Sequence, residues 1–212
     1  MFYRQIKYFQ FLLKSSNQHG VHSPFVYQIV TKCLYKKIDK NSWKTFQTFN
    51  NKLLKNKLLK NKLLKNKKIK NSHKKAKILL KLIHYFKPKS NLEIANSLDL
   101  GVITLAMNFS NLFVTTIANT PLEISEVTLN RKFDCVFFHK NQTTLKTFNT
   151  CLKTINNNSF FIFNDIYENS ETIKNWSSIK NHPKVKVSLD LFYFGVIFFR
   201  KEQAKEHFKI RI

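Results

Sequence analysis

The residues in this sequence able to do chemistry are few, and most stand where apolar runs end. Asn164-Asp165 follows the run Phe160–Phe163, and an Asp at that place could act as a general base or hold a cation. His139 closes the run Phe133–Phe138. One Asp and one His are too few for magnesium, which takes about six oxygen ligands, so no metal site is read. A working Asp165–His139 pair is one reading; a turn-capping Asp beside a partly exposed His is the other. His19 and His22 lie three apart, just before Ser23-Pro24. His22 could supply an acid–base or anion-binding imidazole over a sheet. The same turn could instead open a helix, with Ser23 as N-cap and Pro24 in the first position, and capping is the role expected of Ser23.

Other chemistries are excluded by count. The glycines are Gly20, Gly101 and Gly195 alone, so neither a Walker A loop nor an intact G-x-G-x-x-G turn can be built. Cys33, Cys135 and Cys151 form no C-x-x-C pair and no Cys/His metal spacing; three scattered thiols fit buried cysteines in a reducing compartment. Met1–Lys14 alternates aromatic and basic residues, without the apolar core and cleavage site of a signal peptide. No stretch reaches the ~18 apolar residues of a membrane span. The chain is expected to be soluble and cytoplasmic.

Elements to position these residues can be read from periodicity. Residues 2–13 repeat apolar side chains at helical spacing, a second helix is expected from Pro24 to Lys36, and a third from Ser72 to Phe86, ended by Pro88. Beyond it, apolar runs at Leu92–Ala95, Leu112–Ala118, Phe133–Phe138, Phe160–Phe163, Val185–Leu191 and Phe192–Phe199 alternate with helical stretches near 99–109, 143–153 and 170–180. Continuous apolar strands between helices predict an α/β fold, a doubly wound, mostly parallel Rossmann-like sheet covered on both faces. The last two runs, with Gly195 between them, predict an antiparallel closing pair.

Charge is distributed unevenly. The chain holds 37 Lys+Arg against 12 Asp+Glu, a net charge of +25, and 33 of the basic residues are Lys. Residues 1–90 hold 23 basic residues and one acid, Asp39, whereas residues 91–212 hold 14 and 11. Inside the basic half, Asn-Lys-Leu-Leu-Lys occurs three times from Asn51 to Lys65, followed by a decayed copy. A five-residue period gives no single apolar stripe on a helix. The repeat reads either as an expanded low-complexity insert or as a basic helix laid on nucleic acid or an anionic surface. Lys, Asn, Ile and Phe supply 95 of the 212 residues, all with AT-rich codons, so codon bias competes with selection for a polyanion partner. The expected organisation is a helical N-terminal segment at 1–50, the lysine-rich repeat at 51–71, and an α/β domain at 72–212.

The segments Lys87–Ala95, Val114–Ile117, Lys132–Phe138, Phe160–Ile166 and Asn181–Lys201, in this order and spacing, resemble class I S-adenosylmethionine-dependent methyltransferases, more narrowly a bacterial branch close to the O-methyltransferases. His19–Tyr27 resembles the same branch. The resemblance covers about 1–45 and 72–212. It implies S-adenosylmethionine as cofactor, an unspecified methyl acceptor, and a cofactor turn of the form E-x-G-x-x-x-G after the first strand. Here Glu93 matches the acid, Ala95 and Asp99 stand at the glycine positions, Ser97 lies between them, and Gly101 comes two residues late. Where the family carries a ribose-binding acid, this chain has Ala118-Asn119, and Asn119 is a partial substitute. Where metal-dependent relatives carry an acid after the fourth strand, it has His139. Only about a dozen residues separate Ala118 from Lys132, too few for the strand–helix unit that walls the adenine, so the sheet is expected to be reduced. The resemblance therefore implies Glu93, Ala95, Ser97, Asn119 and His139 toward the cofactor and Asp165 and His22 toward catalysis. It also implies a damaged site with activity weak or lost. The alternative is a non-catalytic basic protein contacting nucleic acid or another polyanion through Lys52–Lys89.

Overall fold

The computed structural model describes residues 2–41, 43–48, 69–94, 114–118, 121–139 and 143–212. The repeat at 51–65, the turn residues Ala95, Ser97, Asp99 and Gly101, Asn119, and the helix expected near 99–109 lie outside the described residues.

Helix α1 (Phe2–Lys14) opens the chain. After a tight turn, α2 (Pro24–Gln28) starts as expected: Ser23 is extended, its Oγ accepts from the Val26 N–H at 3.5 Å, and Pro24 occupies the first turn. The helix continues as a π-helix, Ile29–Leu34, which carries Ile29, Val30, Cys33 and Leu34 into the core. Helix α3 (Ile69–Phe86) begins three residues before the expected Ser72 and ends at Lys87, whose φ is +46°, ahead of Pro88.

The strands follow: β1 (Ser90–Ile94), β2 (Val114–Ala118), β3 (Cys135–Phe138), β4 (Phe160–Asn164), β5 (Val187–Asp190), β6 (Phe194–Phe198) and β7 (Glu206–Lys209). Between them lie α4 (Pro121–Thr128), α5 (Leu145–Cys151) and α6 (Ser170–Asn181). Among the described residues the sheet has seven strands in the order β2-β1-β3-β4-β6-β5-β7. β2, β1, β3 and β4 pair in parallel, β6 runs antiparallel to both β4 and β5, and β7 adds parallel to β5. The expected closing pair is thus present. Among the described residues the chain connecting β2 to β3 contains one helix, α4, and no strand, and β2 lies at the end of the described sheet.

Alternation along the strands splits the core between two faces. Phe160 and Ile162 join Phe137, Phe194 and Phe198 under α2 and α3, with Ile29, Leu79 and Leu82. Phe161 and Phe163 join Leu92, Val136 and Phe138 under α5, α6 and α1, with Phe148, Trp176 and Phe11. Helices therefore cover both faces, which is the doubly wound arrangement. The N-terminal helices contribute to both cores.

Candidate functional site at the carboxyl ends of the strands

The described carboxyl ends of β3, β4 and β5 carry His139, Asn164-Asp165 and Asp190 in neighbouring positions of the sheet, with β6 threaded between β4 and β5. Three buried polar groups result, and each is enclosed by a different partner.

The first joins β1 to β3. Glu93 is paired in register with Phe137, so its side chain points to the α2–α3 face beside the residues that follow β3. Its Oε2 lies 3.1 Å from His139 Nε2, with the two side chains 0 % and 2 % exposed. The His139 ring also packs edge-on to Phe137, centroids 4.9 Å apart, and its backbone N–H donates to Ile94 O at 2.9 Å. Two residues along β1 on the same side, Asn91 is fully buried, and among the described residues its side-chain Oδ1 and Nδ2 have no hydrogen-bond partner. The structure thus joins two predicted cofactor residues, Glu93 and His139, to one another.

The second group is Asp165. It sits immediately beyond β4 with φ +55°, a left-handed conformation that Asp tolerates better than most residues, and its N–H donates to Tyr193 O at 2.8 Å. Its carboxylate meets the Arg4 guanidinium at 2.6 Å through Oδ1 and the Lys75 ammonium through Oδ2. Lys75 Nζ also donates to Asn164 Oδ1 at 3.1 Å. Burial pushes the Lys75 ammonium below its ordinary pKa, and the attraction of Asp165 works against that shift. The cation beside Asp165 is therefore supplied by the chain itself. Arg4 also lies 5.7 Å from the Phe192 ring centroid and 5.8 Å from that of Tyr193.

The third group is Asp190 at the end of β5. It accepts from Tyr167 Oη at 2.5 Å and from the Phe192 N–H at 3.0 Å, with Lys209 Nζ 3.7 Å away. Burial raises the Asp190 carboxyl, and the bonds from Tyr167 and Phe192 offset part of that rise. Burial and the neighbouring Asp190 both raise the Tyr167 phenol. Phe192 stands at φ +65°, uncommon for so large a side chain, and the Asp190 bond holds this turn of the closing pair.

Of the predicted catalytic residues, Asp165 is buried beneath Arg4 and Lys75. His22 is exposed, and the described residues show it no hydrogen bond or ion pair. Among the described residues no hydrogen bond or ion pair joins the two, and His139 is bonded to Glu93 instead of Asp165. Sequence reasoning missed Arg4, Lys75, Tyr167 and Asp190. Lys75 carried a signal: it falls on the apolar side of α3, four residues before Leu79, where a lysine needs a buried acid. Among the described residues no group of three His, Cys, Asp or Glu could hold a metal ion. No described helix is long and apolar enough to cross a membrane.

No family model matches the sequence, and no curated protein matches it. Among solved structures, the chain is similar to the SAH-bound methyltransferase PaMTH1 of Podospora anserina, with a TM-score of 0.49 at 13 % identity, covering 85 % of this chain and 97 % of that one. It is also similar to cofactor-bound Rv0187 from MTB, with a TM-score of 0.46 at 10 % identity, covering 84 % and 95 %.

Proposed function

We propose that this chain is an S-adenosylmethionine-dependent methyltransferase homologue whose cofactor site is damaged and whose activity is weak or lost. The strand order, with antiparallel β6 between β4 and β5, fits the fold that the sequence resemblance implies. The observation that carries the second half is that both acids such a site would use are already engaged. Glu93 is enclosed against His139, and Asp165 is held by Arg4 and Lys75. Both carboxylate oxygens of Asp165 are taken by Arg4 and Lys75, so its geometry is fixed before substrate arrives and neither oxygen is left free for a methyl acceptor. The described residues thus do not fit the cofactor well. Titration calorimetry of the full chain with S-adenosylmethionine and with its demethylated product tests the reading. Dissociation constants in the millimolar range or no heat are expected; micromolar binding of either overturns it.

A second reading is favoured by the surface of α3 and the turn after it. Lys74, Lys77, Lys87 and Lys89 are exposed, and residues 40–92 contain no acid. On this reading the chain is a non-catalytic basic protein that binds nucleic acid or another polyanion, with a steep dependence on salt. Retention on a polyanion column with and without residues 51–70 tests it, and unchanged salt elution removes the repeat from the interaction.

A further inference from the structure

Helix α1 is apolar on two opposite sides. Phe11 is buried, Tyr8 packs on Phe192 with ring centroids 4.7 Å apart, and Arg4 reaches Asp165, so one side is fixed to the sheet. On the other side Phe2, Ile6, Phe9 and Leu13 follow the i, i+4, i+7, i+11 spacing of a single helical stripe and are 79 %, 55 %, 64 % and 72 % exposed. Five of the nine large hydrophobics exposed among the described residues lie on this one helix. The anchoring on its inner side means that the stripe is held outward, on a helix the protein has positioned.

Charge decides what can cover it. Helix α1 carries Arg4, Lys7 and Lys14 and no acid. Beside it lies a cleft of about 220 Å³ whose lining includes Lys7, Lys14, Lys180 and Lys209, with Asp190 the one acid among its described lining residues. Neither Lys14 nor Lys180 has an ion-pair partner among the described residues. Stacking two copies stripe to stripe would bring two chains of net charge +25 together, and that repulsion opposes a dimer. An anionic bilayer surface satisfies both features, because apolar side chains enter the acyl boundary while ammonium groups meet lipid phosphates.

We infer that α1 is an interfacial anchor that lays the protein on an anionic phospholipid surface, with Phe2, Ile6, Phe9 and Leu13 inserted and the lysines of the adjoining cleft at headgroup level. Co-sedimentation of the full chain with vesicles tests it. Binding is expected to vesicles containing phosphatidylserine and not to phosphatidylcholine alone. Phe9→Ser/Leu13→Ser is expected to lower the partition at least about tenfold, since two large apolar side chains lose their buried surface. Both side chains are exposed, so circular dichroism should be unchanged; should the pair misfold, Phe2→Ser/Ile6→Ser serves in its place. Lys180→Ala/Lys209→Ala is expected to reduce binding to the anionic vesicles as well. The inference is overturned if the serine variants bind as wild type does, or if only Lys57→Ala/Lys60→Ala in the repeat abolishes binding. It is equally overturned if wild type sediments as a dimer that Phe9→Ser/Leu13→Ser dissociates.

Discussion

The Arg4 guanidinium lies 2.6 Å from the Asp165 carboxylate, across 161 positions of sequence, and ties the first helix to the end of β4. Lys75 closes the other carboxylate oxygen from α3, so two helices on different faces of the sheet converge on one acid. The exposures are unequal: the Lys75 side chain is 14 % exposed and that of Arg4 37 %. Lys75→Met is therefore expected to destabilise by about 3 kcal/mol, the lower range for breaking a buried pair, and Arg4→Ala by about 1 kcal/mol or less. Adding Asp165→Asn to Lys75→Met should recover part of the loss, because the buried charge then disappears. Urea midpoints of the four proteins check this, and equal effects of the two single variants would contradict it.

The sign of the pH dependence follows from Asp190. Burial lifts its carboxyl above the ordinary 3.8, so the folded chain holds the proton more tightly than the unfolded one. Stability from such a group is fully present below the unfolded value and is lost as pH rises through the folded one. Glu202 acts with the opposite sign: hydrogen bonds from Asn157 and its own backbone N–H, together with Arg200, lower it to about 2 at an exposed position. Its contribution is present above the unfolded value and lost as pH falls toward about 2. Subtracting an Asp190→Asn series from wild type cancels Glu202 and isolates Asp190. The stability difference should shift against wild type as pH rises above 3.8, measured by denaturant midpoints. A flat difference would mean that Asp190 binds its proton equally in both states.

Burial also governs the thiols. Cys33, Cys135 and Cys151 are 2 %, 0 % and 0 % exposed, and burial pushes Cys33 and Cys151 up to about 12 and Cys135 well above its ordinary value. The reactive thiolate is thus suppressed at neutral pH. A thiol reagent should label none of the three in the native chain within the time that labels all three in denaturant. Fast labelling of any one in the native chain would show a local opening at that strand or helix.

Much of the fold was legible because apolar runs announce buried strands. Phe160–Phe163 and Phe133–Phe138 fall on β4 and β3, and Gly195 falls in the antiparallel closing pair. Strand β7 was not legible: Glu206-His-Phe-Lys209 carries one apolar residue, and its pairing with β5 is an edge decision made by backbone hydrogen bonds. Helix α4 was hidden for a related reason, since Pro121–Thr128 is short and only weakly amphipathic. At the candidate site, strand-end position pointed to Asp165 and His139, and the family resemblance pointed to Glu93. What surrounds them was not readable, because Arg4 and Lys75 come from distant helices and look like two more members of a basic half. The bond between Glu93 and His139 depends on the register of β1 with β3, which no local pattern encodes.

Gly195 gives the most direct test of the sheet's packing. A Cβ there would stand 2.5 Å from the Trp176 ring, so the indole of α6 rests on the backbone of β6. Its partners in the ladder are Phe163 on β4 and Asp190 on β5, and Trp176 also packs against Phe163 with ring centroids 5.8 Å apart. A Cβ at position 195 therefore forces the indole or the strand to shift. Gly195→Ala should destabilise by about 3 kcal/mol, the upper range for overpacking, despite the gain in strand propensity. Trp176→Leu alone should also destabilise, because it leaves a cavity over the glycine. The double variant should be more stable than the sum of the two predicts, since each change supplies what the other lacks. Denaturant titration of the four proteins measures that coupling, and strict additivity would mean that α6 shifts freely over the sheet.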